Sequence, residues 1–169
     1  MSNIKRIRIL GIDPGIANTG WAIIDINKQN NESFEKSDIE LIDIGLIQTQ
    51  ASQNMNDRIR IVLDILVEKI LLVDYIGIEK VFFHPKAPST LTTAYVIGSV
   101  LYESSKQNVN IIEIRSQQMK IGLGLKGNAP KKKIGEKIQQ KFKKRFGTHT
   151  CDAIGLAFIA SKILNSNPS

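Results

Sequence analysis

Residues 6 to 12 (RIRILGI) alternate basic and apolar positions and then turn fully apolar, the pattern of a strand entering a core. Asp13-Pro14-Gly15 stops the run: Pro14 fixes φ and Gly15 is free to take a positive value, which together predict a tight turn. Thr19 to Ile26 (TGWAIIDI) reads as a returning strand, and Ile39 to Ile47 as a third. The polar stretch NKQNNESFEKSD between them is the tip of a long hairpin, so the first third of the chain predicts an antiparallel meander. From Met55 the period changes. Met55, Ile59, Val62, Leu63, Leu66, Val67, Ile70 and Leu71 recur at three and four residues, an amphipathic helix of about five turns, with Asp74 ending it. Ile76 to Phe82 is a buried strand, parallel to the first by the crossover rule. A helix from Pro88 to Lys106, beginning near Ser89, leads to a strand from Val109 to Ile114. A short helix from Ser116 to about Leu123 and a Gly-rich loop (GLGLKGNAP) follow. A helix from Pro130 to Arg145, buried along Ile134, Ile138, Phe142 and Phe146, and a last helix capped by Thr148 and running to about Leu164, complete the chain.

Three hairpin strands, then helix, strand, helix, strand and closing helices define an α/β class: a five-stranded mixed sheet with helices on both faces. That order matches the ribonuclease H-like fold, and residues 1–169 read as one domain, without repeats or linkers. A fold alone does not give an activity.

Charge narrows the choice. Residues 115 to 146 carry eleven Lys or Arg and one acid, Glu136, a net +10 in 32 residues, whereas the rest of the chain is net −3. The excess positive charge therefore lies in one segment, as a nucleic-acid footprint requires; a solvated Lys-rich helix face is the plainer alternative. Lys120, Lys126 and Lys131 flank the Gly-rich loop, whose backbone can approach a phosphate closely. Cys151 is the only cysteine, so no internal disulfide forms. A reducing, cytoplasmic setting fits, and Cys151 is expected in the core. No apolar run reaches the roughly 18 residues that span a membrane.

Three acids stand where such a fold brings chain segments together. Asp13 ends the first strand, Glu79 lies within an apolar strand (YIGIEKVFF), and Asp152 opens an apolar helix (HTCDAIGLAFIA). Each has an ordinary explanation: a turn former for Asp13, a salt bridge for Glu79, a favourable helix start for Asp152. His149 precedes Asp152 by three residues and shares its helical face, and capping or simple exposure is its alternative. Taken jointly, Asp13, Glu79, His149 and Asp152 are candidate ligands for two divalent cations, Mg²⁺ or Mn²⁺. Spaced roughly 3.5–4 Å apart, such ions clamp a scissile phosphate for in-line hydrolysis. An imidazole at His149 suits Mn²⁺ better than Mg²⁺; otherwise His149 orients water or donates a proton.

These segments resemble the RuvC family of Holliday junction resolvases. ILGIDPGIANTGWAII looks like the first motif of that family, with Asp13 as its first acid. IGIEKVFF looks like the second, with Glu79. HTCDAIGLAFIA looks like the last, with His149 where an Asp is usual. RSQQMKIGLGLKGNAPKKKI is similar to the basic segment, with Lys120 and Lys131 at the spacing of two lysines implicated in phosphate contact and catalysis. The resemblance covers most of the chain. It implies a homodimer that binds branched DNA, chiefly four-way junctions, and nicks two opposed strands. It also implies that Phe82 stacks on an unpaired base near the junction centre, and that the helix after Pro88 supplies the dimer contact through Tyr95, Ile97 and Leu101; packing in the chain's own core is the alternative for all four. Catalytic roles then fall to Asp13, Glu79, His149, Asp152 and Lys131, and DNA contacts to Phe82, Lys120, Lys126, Lys131 and Lys132. The leading function is a metal-dependent endonuclease resolving Holliday junctions by symmetric nicks. A broader branched-DNA endonuclease (forks, flaps, three-way junctions) and a non-catalytic junction-binding protein are the alternatives.

Overall fold

The computed structural model describes residues 6–27, 32–81 and 89–166. In chain order its elements are β1 (Arg6–Asp13), β2 (Asn18–Asn27), β3 (Ile39–Gln48), α1 (Met55–Ile70), β4 (Tyr75–Glu79), α2 (Ser89–Lys106), β5 (Asn110–Ile114), α3 (Ser116–Gly122), α4 (Lys132–Phe142) and α5 (Thr148–Ser166). The strands form one sheet in the order β3-β2-β1-β4-β5. β1 pairs antiparallel with β2 and parallel with β4; β5 runs parallel to β4. This is the expected ribonuclease H-like arrangement, with β1 at the centre.

Alternation along the strands divides the core. Ile7 and Ile9 point with Ala22, Ile24 and Ile26 toward α3, α4 and α5. Leu10 and Ile12 point with Trp21, Ile23 and Ile47 toward α1 and α2. Helices thus cover both faces, and α5 is enclosed along Thr150 to Ser161. Among the described residues no helix is long and apolar enough to cross a membrane.

Several boundaries differ from the sequence reading. Helix α1 is capped by Asn54, which accepts from the Asp57 N–H at 2.9 Å, and it ends at Ile70. Asp74 has a different task from ending that helix: its carboxylate accepts from the Arg8 N–H at 2.8 Å while its own N–H donates to Arg8 at 2.9 Å, which registers β4 against β1. β4 is Tyr75–Glu79, shorter than the expected Ile76 to Phe82, and Phe82 lies outside the described residues. α4 spans Lys132–Phe142 and excludes Pro130. It stops because Lys143 adopts the left-handed conformation, φ 51°, which terminates a helix. Thr148 is the first residue of α5 and not its cap; Gly147 accepts the first helical bond, from Cys151, at 2.9 Å.

The hairpin tip expected to be solvated is partly core. Phe34 is 1% exposed and sits edge-on to Phe158 and Phe142, with ring centroids 5.0 and 6.5 Å away. Lys141 donates to the Ser37 carbonyl at 2.6 Å, and Lys137 pairs with Glu35. Residues 32–38 are thereby clamped to α4.

Candidate active site

The site forms because α5 lies unusually close to the sheet. Gly11 on β1 and Gly77 on β4 are paired in register, and Gly20 on β2 is paired with Asp13. A Cβ at Gly11 would fall 1.8 Å from the Ala153 carbonyl oxygen; at Gly20 it would fall 2.2 Å from that of His149, and at Gly77 2.6 Å from that of Leu156. Only glycine permits this approach. It sets the first turns of α5 over the carboxyl ends of β1 and β4, one step beyond the Ile12–Ile78 pair. Asp13 and Glu79 arrive from those strands, and His149 and Asp152 from one face of the helix. The glycine pattern is the signal that the sequence reading left unused.

Two close pairs result. His149 Nδ1 lies 2.7 Å from Asp13 Oδ2, and Lys131 Nζ lies 2.5 Å from Asp152 Oδ2. Asp13 and Asp152 are buried, at 5% and 2% exposed. Among the described residues Asp152 Oδ1 is a buried oxygen without a hydrogen-bond partner, an open acceptor. Burial pushes the Asp152 carboxyl up to about 6, against the opposing pull of Lys131. Burial, then the charge of Asp13, raises the Glu79 carboxyl as well, with Lys131 and Lys120 acting the other way. Burial works against the Lys131 ammonium, but its bond to Asp152 and the charges of Asp13 and Glu79 outweigh this and raise its pKa. The four charged groups therefore act on one another as a cluster.

The cluster is not a preformed cation shell. Among the described residues no three His, Cys, Asp or Glu side chains are grouped as one, because Asp13 is turned to His149 and Asp152 to Lys131. The four side chains stand here as a His149–Asp13 contact and a Lys131–Asp152 ion pair. The donor set still fits divalent cations: hard carboxylate oxygens, one imidazole, and an Oδ1 on Asp152 that accepts no hydrogen bond among the described residues.

The remaining candidate lysines lie on α3, in the turn after it and on α4. Lys120 lies on α3 within electrostatic reach of Glu79. Lys126 is exposed in the turn before Pro130, and Lys132 is exposed as the first residue of α4. Part of the basic segment is committed elsewhere: Lys137 and Lys141 hold residues 34–37, and Lys133 pairs with Glu136 at 2.6 Å. Cys151 is buried, with its thiol pushed up to about 11 by burial, so it offers no nucleophile. Of the proposed dimer residues, Ile97 belongs to the core, at 8% exposed; Tyr95 and Leu101 are exposed, together with Leu91 and Tyr102.

Comparison with known proteins identifies a family. The family model described as crossover junction endodeoxyribonuclease RuvC matches residues 9–160. The crossover junction endodeoxyribonuclease RuvC of Wolbachia pipientis wMel is 30% identical over 155 residues, covering 89% of this chain and 91% of that protein. Its counterpart from Ehrlichia chaffeensis is 28% identical over 138 residues, covering 79% and 81%. The structure of Thermus thermophilus RuvC in complex with a Holliday junction substrate superposes with a TM-score of 0.79 at 18% identity, covering 95% of this chain and 96% of that one. With one family model spanning all four motifs and both walls of the acidic cluster, the chain belongs to the crossover junction endodeoxyribonuclease RuvC family.

Proposed function

We propose that this chain is a metal-dependent endodeoxyribonuclease that resolves four-way DNA junctions by paired symmetric nicks. Family membership supports the junction as substrate. The observation that carries the chemistry is the cluster of Asp13, Glu79, His149 and Asp152 at the carboxyl ends of β1 and β4, with Asp152 Oδ1 buried and, among the described residues, without a hydrogen-bond partner. These four residues hold divalent cations, Mg²⁺ or Mn²⁺, two per site. When bound, such ions supply an activated water and neutralise charge on the scissile phosphate.

The chain's own residues do the rest. His149 is fixed by its Nδ1 contact with Asp13, so the direction of its ring is set before substrate arrives. Lys131 is half exposed and moves from Asp152 to a phosphate oxygen, where its charge stabilises the developing anion. Lys120 adds positive charge beside Glu79. Lys126 and Lys132 grip flanking phosphates, contacts that position the backbone and read no sequence. Phe82 stacks on a base at the junction centre. Two such subunits pair through the exposed stripe of α2, Leu91, Tyr95 and Tyr102, matching the two-fold symmetry of the substrate.

The test is cleavage of a labelled synthetic four-way junction with Mg²⁺ or Mn²⁺, mapping all strands. Symmetric paired nicks are expected, lost in Glu79→Gln by roughly two to three orders of magnitude while junction binding persists. Equal cutting of three-way and four-way junctions would replace the junction-specific reading with the broader one. Binding without nicking would leave a junction-binding protein.

A further inference from the structure

Helix α4 brings Lys131 to Asp152 on a narrow footing. Its sequence, KKIGEKIQQKF, buries Ile134 and Ile138, and Gly135 weakens the helix from within. Lys131 is wound into its start: the Lys131 carbonyl accepts from the Ile134 N–H at 3.0 Å, so the side chain travels with the helix. The opposite half of α4 meets residues 32–38, which lie between β2 and β3. Phe34 sits edge-on both to Phe142 of α4 and to Phe158 of α5. Lys137 pairs with Glu35, and Lys141 donates to the carbonyls of Ser37 and Glu35, at 2.6 and 3.2 Å. Lys162 of α5 donates to the Glu32 carbonyl. The segment is also closed on itself, since the Ser33 carbonyl accepts from the Ser37 N–H at 2.9 Å and from its hydroxyl at 2.6 Å. Residues 32–38 therefore form a compact cross-brace fastened to both helices.

We propose that this brace positions Lys131 for the nicking step, with Phe34 and Glu35 as positioning residues that act through α4. The proposal rests on the nuclease reading above, in which Lys131 leaves Asp152 for a phosphate oxygen. Residues 131 to 137 span about 9 Å of helix. A tilt of about 10° over that length shifts the Lys131 end by roughly 1.5 Å, an error of the size that costs a catalytic group most of its effect. Such a shift also breaks the 2.5 Å contact with Asp152. The brace borders the Gly-rich loop as well: a Cβ at Gly124 would stand 3.7 Å from Lys137 Nζ and 3.8 Å from Glu35 Oε1. The Glu35–Lys137 pair thus lies against the segment that leads into Lys131. Phe34 shares a core with Ile134 and Ile138, so its loss costs stability in any case. What distinguishes a brace is that its effect on nicking passes through Lys131.

The experiment is a double-mutant cycle with the full chain, read as the single-turnover nicking rate of a pre-bound four-way junction in saturating Mn²⁺, below the melting temperature of every variant. Phe34→Ala should slow nicking about tenfold or more and leave junction affinity unchanged. Phe34→Leu, which refills most of the space, should restore most of the rate. Glu35→Ala, at an exposed pair, should slow nicking about threefold and keeps the test open where Phe34→Ala does not fold. Leu66→Ala, a cavity in the core on the other face of the sheet, should lower the melting temperature and keep the wild-type rate. In a Lys131→Met background neither brace substitution should slow nicking further. Calorimetric titration of Mn²⁺ without DNA is the second readout: Phe34→Ala and Glu35→Ala, by loosening Lys131 from Asp152, should tighten binding and should add nothing to Lys131→Met. Brace variants that nick at the wild-type rate, losses that add to that of Lys131→Met, or an equal loss in Leu66→Ala would overturn the brace. A wild-type chain that cuts no junction removes the nuclease reading instead, and unchanged Mn²⁺ affinity in the brace variants then overturns the brace on its own.

Discussion

Lys131 Nζ stands 2.5 Å from Asp152 Oδ2, on the one carboxylate of the site whose second oxygen is buried with no partner. The ammonium thus sits where a divalent cation would gain most. An ion pair of this depth offsets the desolvation of the acid only in part, which is why the Asp152 carboxyl still lies well above the ordinary range.

The first prediction follows from that imbalance. An acid whose pKa rises from 3.8 to about 6 on folding binds its proton more tightly in the native state. Its contribution is most favourable below pH 4 and is lost as pH rises through about 6, so above pH 7 the charged form destabilises the metal-free fold. Asp152→Asn should therefore raise stability without metal by about 1–3 kcal/mol at pH 8 and by little near pH 4. Thermal melts in chelator across that range measure it. A variant less stable than wild type at pH 8 would contradict the assignment.

Competition between Lys131 and metal gives the second. Lys131→Met removes the internal cation and leaves Asp152 charged and alone. The metal-free protein should melt lower, since an uncompensated buried charge is costly, yet it should bind Mn²⁺ about tenfold tighter, the equivalent of roughly one hydrogen bond between charged groups. Calorimetric titration without DNA separates this from any effect on catalysis. Unchanged or weaker Mn²⁺ binding would mean that the lysine and the ion do not share a carboxylate.

Glycines on opposite sides of the α4–α5 contact should respond in opposite directions. Gly11→Ala places a Cβ 1.8 Å from the Ala153 oxygen and must push α5 off the sheet, at about 3 kcal/mol or more, carrying His149 and Asp152 away from Asp13. Gly135, inside α4, has nothing nearer than 3.9 Å to such a Cβ. Gly135→Ala should stabilise by about 0.5–1 kcal/mol through helix propensity. Denaturant melts of both, with nicking assays on whatever folds, test the pair. Equal effects would show that α5 is not seated by glycine.

What could be read in the sequence follows from the range of each signal. Strand alternation from Arg6 to Ile12 and the three-to-four spacing from Met55 to Ile70 are local patterns that burial merely amplifies, so those elements fall where expected. Asp13, Glu79, His149 and Asp152 were legible because acids among apolar residues are costly without a reason. The pairing of Asp13 with His149, and of Asp152 with Lys131, was not, since it depends on side-chain directions set by α4 and α5 together. The role of Phe34 was hidden for another cause. One aromatic in a polar tract carries no period, and its partners Phe142 and Phe158 lie more than a hundred residues away.

That same clamp divides the lysines by function and yields the last prediction. Lys137 and Lys141 are held against residues 34–37, whereas Lys126 and Lys132 are exposed. Net charge alone would assign all four to DNA. Each lysine that neutralises a phosphate contributes about 0.9 to the slope of log affinity against log salt. The double variant Lys126→Ala, Lys132→Ala should therefore flatten that slope by about 2 and leave the melting temperature nearly unchanged. Lys137→Ala should do the reverse: it loses about 0.5–1 kcal/mol of stability from a partly exposed pair and keeps the wild-type slope. Junction binding by fluorescence anisotropy at several salt concentrations, with parallel melts, reads both. A slope that falls equally in the two variants would mean that the whole of α4 lies on the DNA, and that the contact with Glu35 opens when the junction binds.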